Sequence, residues 1–197
     1  MNIEPVTLKG KFIRLEPMTG EHVDALWEAG GDASLWRLIP TNIASRADME
    51  KYVDIALADR DRGTSLPFVT IDAASNSIIG STRFGNIDVG HRRSEIGWTW
   101  ITPKFQRTHV NTEAKLLMLT HAFEVWNCIR VELKTDALNQ QSRNAILRIG
   151  ARQEGIFRNH MIIENGRFRD SVYFSIIESE WTSVKEGLCE KLRSNTK

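Results

Sequence analysis

Polar and apolar residues alternate over Lys11-Phe12-Ile13-Arg14-Leu15-Glu16, the period of a half-buried strand. The period then lengthens. Thr19 is placed to cap a helix carrying Val23, Leu26 and Trp27 on one face. A second helix begins at Ser45, with Asp48 as its capping-box partner and Met49, Tyr52, Val53 and Ala56 at helical spacing. Alternation returns in two short strands, Leu66 to Asp72 and Ser77 to Phe84, joined by a hairpin loop at Ala73-Ala74-Ser75-Asn76.

The stretch from Glu95 to Gly150 is the most ordered in pattern. A strand, Glu95 to Ile101, is ended by Pro103 and followed by the loop Gln106-Arg107-Thr108-His109-Val110-Asn111. A helix spans Thr112 to Trp126, a strand Ile129 to Thr135, and a further helix is opened by Asn139-Gln140-Gln141-Ser142. A helix linking two strands in this way makes them parallel neighbours. Beyond it lies a hairpin, Gly155 to Ile163 and Phe168 to Ile177, with Asn165-Gly166 at the tip as the turn signal. A last helix runs from Glu180 to Leu192 with Trp181, Val184, Leu188 and Leu192 on one stripe. The pattern predicts an α+β domain: a mixed, mostly antiparallel sheet of about seven strands with about five helices on both faces.

The length of 197 residues fits one domain over 1–197 with a substantial core. A net charge of +1 supplies no global pull toward nucleic acid or membrane. Cys128 and Cys189 are too few for a disulfide framework and read as reduced, buried thiols. Met1 to Lys11 lacks the apolar run of a signal peptide, and no stretch approaches 18 apolar residues, so a cytoplasmic protein is expected. The Walker loop, Gly-x-Gly-x-x-Gly, His-Glu-x-x-His and Cys-x-x-Cys patterns are absent, which argues against phosphotransfer, a dinucleotide dehydrogenase and a metal site.

A loop feeding a helix N-terminus offers unpaired N–H groups beside a positive dipole end, an anion site. Gln106 to Asn111 can serve a diphosphate this way, or can be an ordinary connection capped by Asn111. The segment resembles the acyl-CoA core of the GCN5-related N-acetyltransferase (GNAT) superfamily. In that family the loop reads Gln/Arg-x-x-Gly-x-Gly/Ala; Gln106 matches the first position, whereas His109 and Asn111 stand where small residues are usual. Asn139-Gln140-Gln141-Ser142 and Gly150-Ala151 look like the family's Asn-x-x-Ser…Gly motif, although Asn139 as N-cap and Gly150 as C′ glycine have local explanations too. Leu8-x-Gly10-x-x-Ile13-Arg14-Leu15-Glu16-Pro17, Glu95-Ile96-Gly97-Trp98 and Arg169-Asp170-x-Val172-Tyr173 are similar to the ribosomal-protein N-acetyltransferase-like (RimJ/RimL-type) branch.

The resemblance implies an acyl-CoA N-acyltransferase fold with acetyl-CoA as cosubstrate. The cofactor would lie against Trp100, Ile101, Gln106, Arg107, Thr108, His109, Val110, Asn111, Thr112 and Asn139, with Ser142 near the sulfur to protonate the leaving thiolate. The acceptor is expected to be a primary amine: a protein N-terminus, or a small molecule such as a polyamine, amino sugar or antibiotic. A non-catalytic acyl-CoA-binding module is the reading His109 favours, and a homodimer is a family-based expectation.

Amine attack needs a base. Glu95 and His160 are the candidates, ahead of His109 and Glu132. Each has a structural alternative: Glu95 paired with Arg92 or Arg93, His160 a surface or structural imidazole, and Glu132 and Asp170 partners for nearby donors. Trp98 and Trp100 are expected to share a strand face and pack on a helix, with one able to wall an acceptor pocket. Arg143, Arg148, Arg152, Arg158, Arg167 and Arg169, interleaved with acids, read as a solvated face from which some could neutralise phosphates.

Overall fold

The computed structural model describes residues 1–163 and 166–194. One sheet of eight strands runs through them, in the order β1-β2-β3-β4-β5-β6-β8-β7. The strands are β1 (Leu8–Lys9), β2 (Ile13–Pro17), β3 (Leu66–Asp72), β4 (Ile78–Asp88), β5 (Arg93–Ile101), β6 (Arg130–Asp136), β7 (Arg152–Ile162) and β8 (Phe168–Ile177). Every pairing is antiparallel except β5 with β6. The parallel pair follows from the crossover helix between its strands. The extra strand relative to the sequence pattern is β1, two residues whose register pairs Leu8 with Leu15. It is too short to carry a period.

Among the described residues five α-helices flank the sheet: α1 (Val23–Gly30), α2 (Arg46–Asp61), α3 (Val110–Thr120), α4 (Gln140–Arg148) and α5 (Trp181–Ser194). Two buried clusters lie beneath them. One gathers Met49, Tyr52, Val53 and Ala56 of α2 with Val23 and Leu26 of α1, Trp36 and Trp100; Trp98 packs against it. The other gathers Val110, Ala114, Met118 and Leu119 of α3 with Trp181 and Leu188 of α5 and inward residues of β2 to β6 and β8. Among the described residues no helix is long and apolar enough to cross a membrane.

Three local features bear on the loops and helix starts beside the sheet's open end. The first is α3, which begins at Val110, two residues before the expected Thr112. His109 is its N-cap in αR geometry without a side-chain cap bond, so Asn111 lies inside the helix rather than capping it. The end of α3 widens into a π-turn over His121–Val125. The second is Glu113, whose buried carboxylate accepts the N–H groups of Lys11, Phe12 and Ile13, each at 2.8 Å. This clamps the start of α3 to the β1–β2 turn. The third is α4, which is capped by Asn139 Oδ1, accepting from Ser142 N at 2.9 Å, and ends at Gly150, whose φ of +97° is a left-handed turn that favours glycine. At the β7–β8 tip, Asn165 lies outside the described residues. Gly166 has φ +78° and donates its N–H to Ile163 O at 2.8 Å.

Candidate active site

β5 and β6 touch over three residue pairs only: Arg93 with Arg130, Ser94 with Val131 and Glu95 with Glu132. Beyond Glu95 no further pair joins them, although β5 stays paired with β4 as far as Ile101 and β6 with β8 as far as Asp136. The strands therefore part. Beyond Glu95 the β5 edge has no paired strand on the β6 side, where an amide-rich ligand could lie.

The parting is accompanied by a bulge. The register of β4 against β5 steps from Ser81–Trp100 to Arg83–Gly97, so Trp98 and Thr99 together face Thr82. Trp98 takes φ +49°, a left-handed conformation uncommon for a bulky residue. Its ring lies over Gly85, where an added Cβ would come within 2.3 Å of Cζ3. On the α3 side, Thr99 Oγ1 shares a 2.8 Å hydrogen bond with Thr82 Oγ1 and receives one of 2.8 Å from Lys115 Nζ. Lys115 is buried without an acidic partner among the described residues, and burial pushes it from its ordinary 10.5 down to about 7.

At the open end of β5 stands the loop into α3. Arg107 takes the left-handed turn, φ +59°. Among the described residues the backbone N–H groups of Arg107, Thr108, His109, Asn111 and Thr112 have no protein acceptor, while Val110 N donates to Thr108 Oγ1 at 3.3 Å. Unpartnered N–H groups at a helix start suit a diphosphate. His109 needs no glycine geometry: its backbone is helical and its ring stacks on Phe12 with centroids 4.0 Å apart.

The loop meets α4 through Gln106. Its Nε2 donates to Ile101 O at 2.9 Å and its Oε1 accepts from Gln141 Nε2 at 3.2 Å. Asn139 and Ser142 flank Gln141 in the same first turn, so Gln106 links the end of β5 to the start of α4. The side chain of Trp100, an expected cofactor residue, is buried against Trp36, 5.4 Å between ring centroids, so only its backbone can face a ligand. Thr112 is also fully buried, its Oγ1 accepting from Arg148 Nη2 at 2.9 Å.

The candidate bases sit where the strands divide. Glu95 is buried at 3% exposure and accepts from Asn86 Nδ2 and Lys134 Nζ, both at 2.8 Å. The partner expected from sequence, Arg92 or Arg93, is not the one found: Arg93 pairs with Asp88 and Glu132. Register places Lys134 opposite Tyr173. The Lys134 ammonium lies 5.8 Å from the Tyr173 ring centre, and Tyr173 OH lies 3.5 Å from His160 Nε2. His160 Nδ1 is 3.0 Å from Ser171 Oγ. Burial, then Lys134 and Arg169, hold His160 below its ordinary 6.5, with Glu95 pulling the other way. It is therefore a neutral imidazole near pH 7, able to take a proton. Glu132 is engaged by Arg130 and Arg93, and Asp170 accepts from Asn159 N at 2.7 Å. Both are occupied as partners.

Sequence reasoning gave no role to Lys134 or Arg83 and named Tyr173 only within the Arg169-to-Tyr173 motif; the Lys134–Glu95 pair spans 39 positions and has no local signal. The arginine group is not one solvated face: Arg169 is 4% exposed with its Nε unpartnered among the described residues, and Arg167 pairs with buried Asp136.

The chain is 34% identical over 109 residues to YdaF of Bacillus subtilis (strain 168), provisionally named a ribosomal N-acetyltransferase; the match spans 55% of this chain and 58% of that relative's length. A crystal structure of a GCN5-related N-acetyltransferase from Brucella melitensis superposes with a TM-score of 0.88 at 32% identity, covering 96% of this chain and 86% of that one. Mycobacterium smegmatis RimJ, solved in complex with CoA-disulfide, shares the fold with a TM-score of 0.83 at 21% identity over 96% of both chains. The family profile described as acetyltransferase (GNAT) domain matches residues 13–152, and the chain belongs to that family of N-acetyltransferases.

Proposed function

We propose that the protein transfers the acetyl group of acetyl-CoA to a primary amine, a protein N-terminus, directly within a ternary complex. The observation that carries this is the parting of β5 and β6 beyond Glu95, above a loop rich in free N–H groups. The diphosphate would take the N–H groups of residues 107 to 109, 111 and 112, and the pantetheine amides the β5 edge between Glu95 and Ile101, whose own carbonyl is held by Gln106. A backbone N–H at the bulge of Trp98 and Thr99 would hold the carbonyl oxygen as charge develops on it. Neutral His160 and Glu95 stand on the acceptor side to relieve the amine of its proton, and Ser142 at the start of α4 would protonate the thiolate. Direct transfer fits the cysteines: burial pushes the Cys128 thiol up, against thiolate formation, and Cys189 lies on α5.

His109 does not favour a non-catalytic module, because its backbone fits the helix start without strain. A protein N-terminus as acceptor draws on the likeness to YdaF and on the fold shared with RimJ. The test is thiol release from acetyl-CoA over a panel of N-terminal peptides, polyamines and amino sugars. Turnover of a peptide supports the reading. Acetyl-CoA binding without thiol release for any amine would refute it.

A further inference from the structure

Arg83, on β4, is 2% exposed, and nothing in the proposed transfer chemistry uses it. A guanidinium does not give up its charge, so burying one is costly unless its N–H edge is satisfied. Among the described residues no acceptor meets that edge at hydrogen-bond distance. Tyr52 and Trp98 lie against it at 5.0 and 4.8 Å from their ring centres. The acid paired with it, Asp59, stands at 3.6 Å, longer than a hydrogen bond, and also pairs with Arg62. Rings satisfy faces. The five donors lie in the guanidinium plane, shaped for two carboxylate oxygens.

A cavity of about 290 Å³ opens beside this group, with Asn42, Lys51, Tyr52, Arg83 and Trp98 among its walls. Asp48, the acid on the wall, is already bound to Ala44 N and Ser45 Oγ, at 3.1 and 2.7 Å. On the cavity wall the cations Arg83 and Lys51 thus meet one carboxylate, Asp48, which is spent on capping α2, while Asp59 reaches Arg83 only at 3.6 Å. The volume suits a single side chain or a small acid.

Trp98 ties this cavity to the reacting end. The same indole that covers Arg83 lies 6.0 Å from Lys134 Nζ, which pairs with Glu95 where the strands part. Its left-handed backbone and the absence of a Cβ at Gly85 fix the ring between the two. A non-glycine residue held at positive φ points to a functional constraint.

The geometry points to an acceptor subsite: Arg83, with Lys51 at the rim, binds a carboxylate on the molecule whose amine is acetylated. This deepens the proposed transfer and rests on it for the amine, but not for the carboxylate. The carboxylate belongs either to an acidic side chain near a peptide N-terminus or to a free amino acid.

Two measurements separate these claims. The first needs no turnover: titrate the protein with N-acetylglutamate and with N-acetylglutamine, following tryptophan fluorescence and heat. The acid is expected to bind at least tenfold tighter than the amide, and Arg83→Gln to abolish that difference while acetyl-CoA affinity is unchanged. Equal binding of acid and amide by the native protein overturns the subsite whether or not the variant folds. Lys51→Met, at the rim, is expected to weaken the acid severalfold with the melting temperature unchanged; no change there counts against the subsite as well. The second measures thiol release with C-terminally amidated peptides carrying Glu or Gln near the N-terminus, and with free glutamate. A lower KM for the Glu peptide assigns the side-chain source, and a lower KM for free glutamate the amino-acid source. A preference for the Gln peptide refutes the subsite. Absence of all thiol release defeats the transferase reading and leaves the first measurement to decide.

Discussion

Replacing Lys115 with methionine is expected to stabilise the protein below neutral pH and to have a vanishing effect in mild alkali. The native ammonium is buried and donates to Thr99 Oγ1, with no acidic partner among the described residues. Its displacement from 10.5 to about 7 means that charging it in the folded state costs roughly 5 kcal/mol. The sign is set by proton counts. Below pH 7 both states hold the proton and the full penalty is present. Between 7 and 10.5 the unfolded chain holds more protons, so stability rises by about 1.4 kcal/mol per pH unit. Above 10.5 the penalty is gone. Methionine has similar length and no charge. It forfeits one hydrogen bond, about 1 kcal/mol, and leaves Thr99 bonded to Thr82. The variant should therefore exceed the native protein by ~3–4 kcal/mol near pH 6 and match it by pH 9 to 10. Urea unfolding at half-unit steps from pH 6 to 9.5 reads this directly, because the other titrating groups cancel in the difference. A difference that stays constant across the range would refute the reasoning.

Glu113→Ala would strip three backbone N–H groups of their acceptor and is expected to cost ~2–4 kcal/mol in urea unfolding. A loss below 0.5 kcal/mol, in the range of an ordinary surface change, would rule out the clamp. His160→Gln should lower kcat by ~10²-fold and change the acid limb of kcat/KM, which in the native enzyme should lie below pH 6.5 because the imidazole is held below its ordinary value; an unaltered profile would exclude it as base. Asn139→Ala is expected to weaken acetyl-CoA binding through the α4 start, and Ser142→Ala to slow turnover with binding unchanged, separable by a binding titration beside single-turnover rates. Arg107→Gly should be tolerated or stabilising by up to ~1 kcal/mol, since glycine accepts φ +59° at no steric cost; a cofactor affinity reduced tenfold would show that the side chain, beyond the turn, matters.

The parts of this molecule legible in its sequence are those fixed by local spacing. Met49, Tyr52, Val53 and Ala56 are all buried, as a helical stripe requires. The parallel pairing of β5 with β6 follows from one crossover helix. What spacing cannot carry is partnership across distance. Glu95 finds Lys134 39 positions away, and Glu113 finds Phe12 101 positions away, so neither is visible as a motif. The bulge hides for another reason. Trp98, a residue that disfavours positive φ, occupies it, and the usual glycine signal instead sits at Gly85 beneath its ring. The start of α3 departs from the spacing-based expectation because Asn111 has the composition of a cap while His109, which caps without a side-chain bond, does not. Arg83 reads as an ordinary strand arginine until two rings and a cavity are found around it.

The most direct measurement is a crystal structure with coenzyme A bound. The expected result is diphosphate oxygens within roughly 3.2 Å of main-chain nitrogens between Arg107 and Thr112, with the pantetheine lying between β5 and β6 and its sulfur beside Trp98 and Thr99. A cofactor seated away from that opening, or strands β5 and β6 zipped together beyond Glu95, would contradict it.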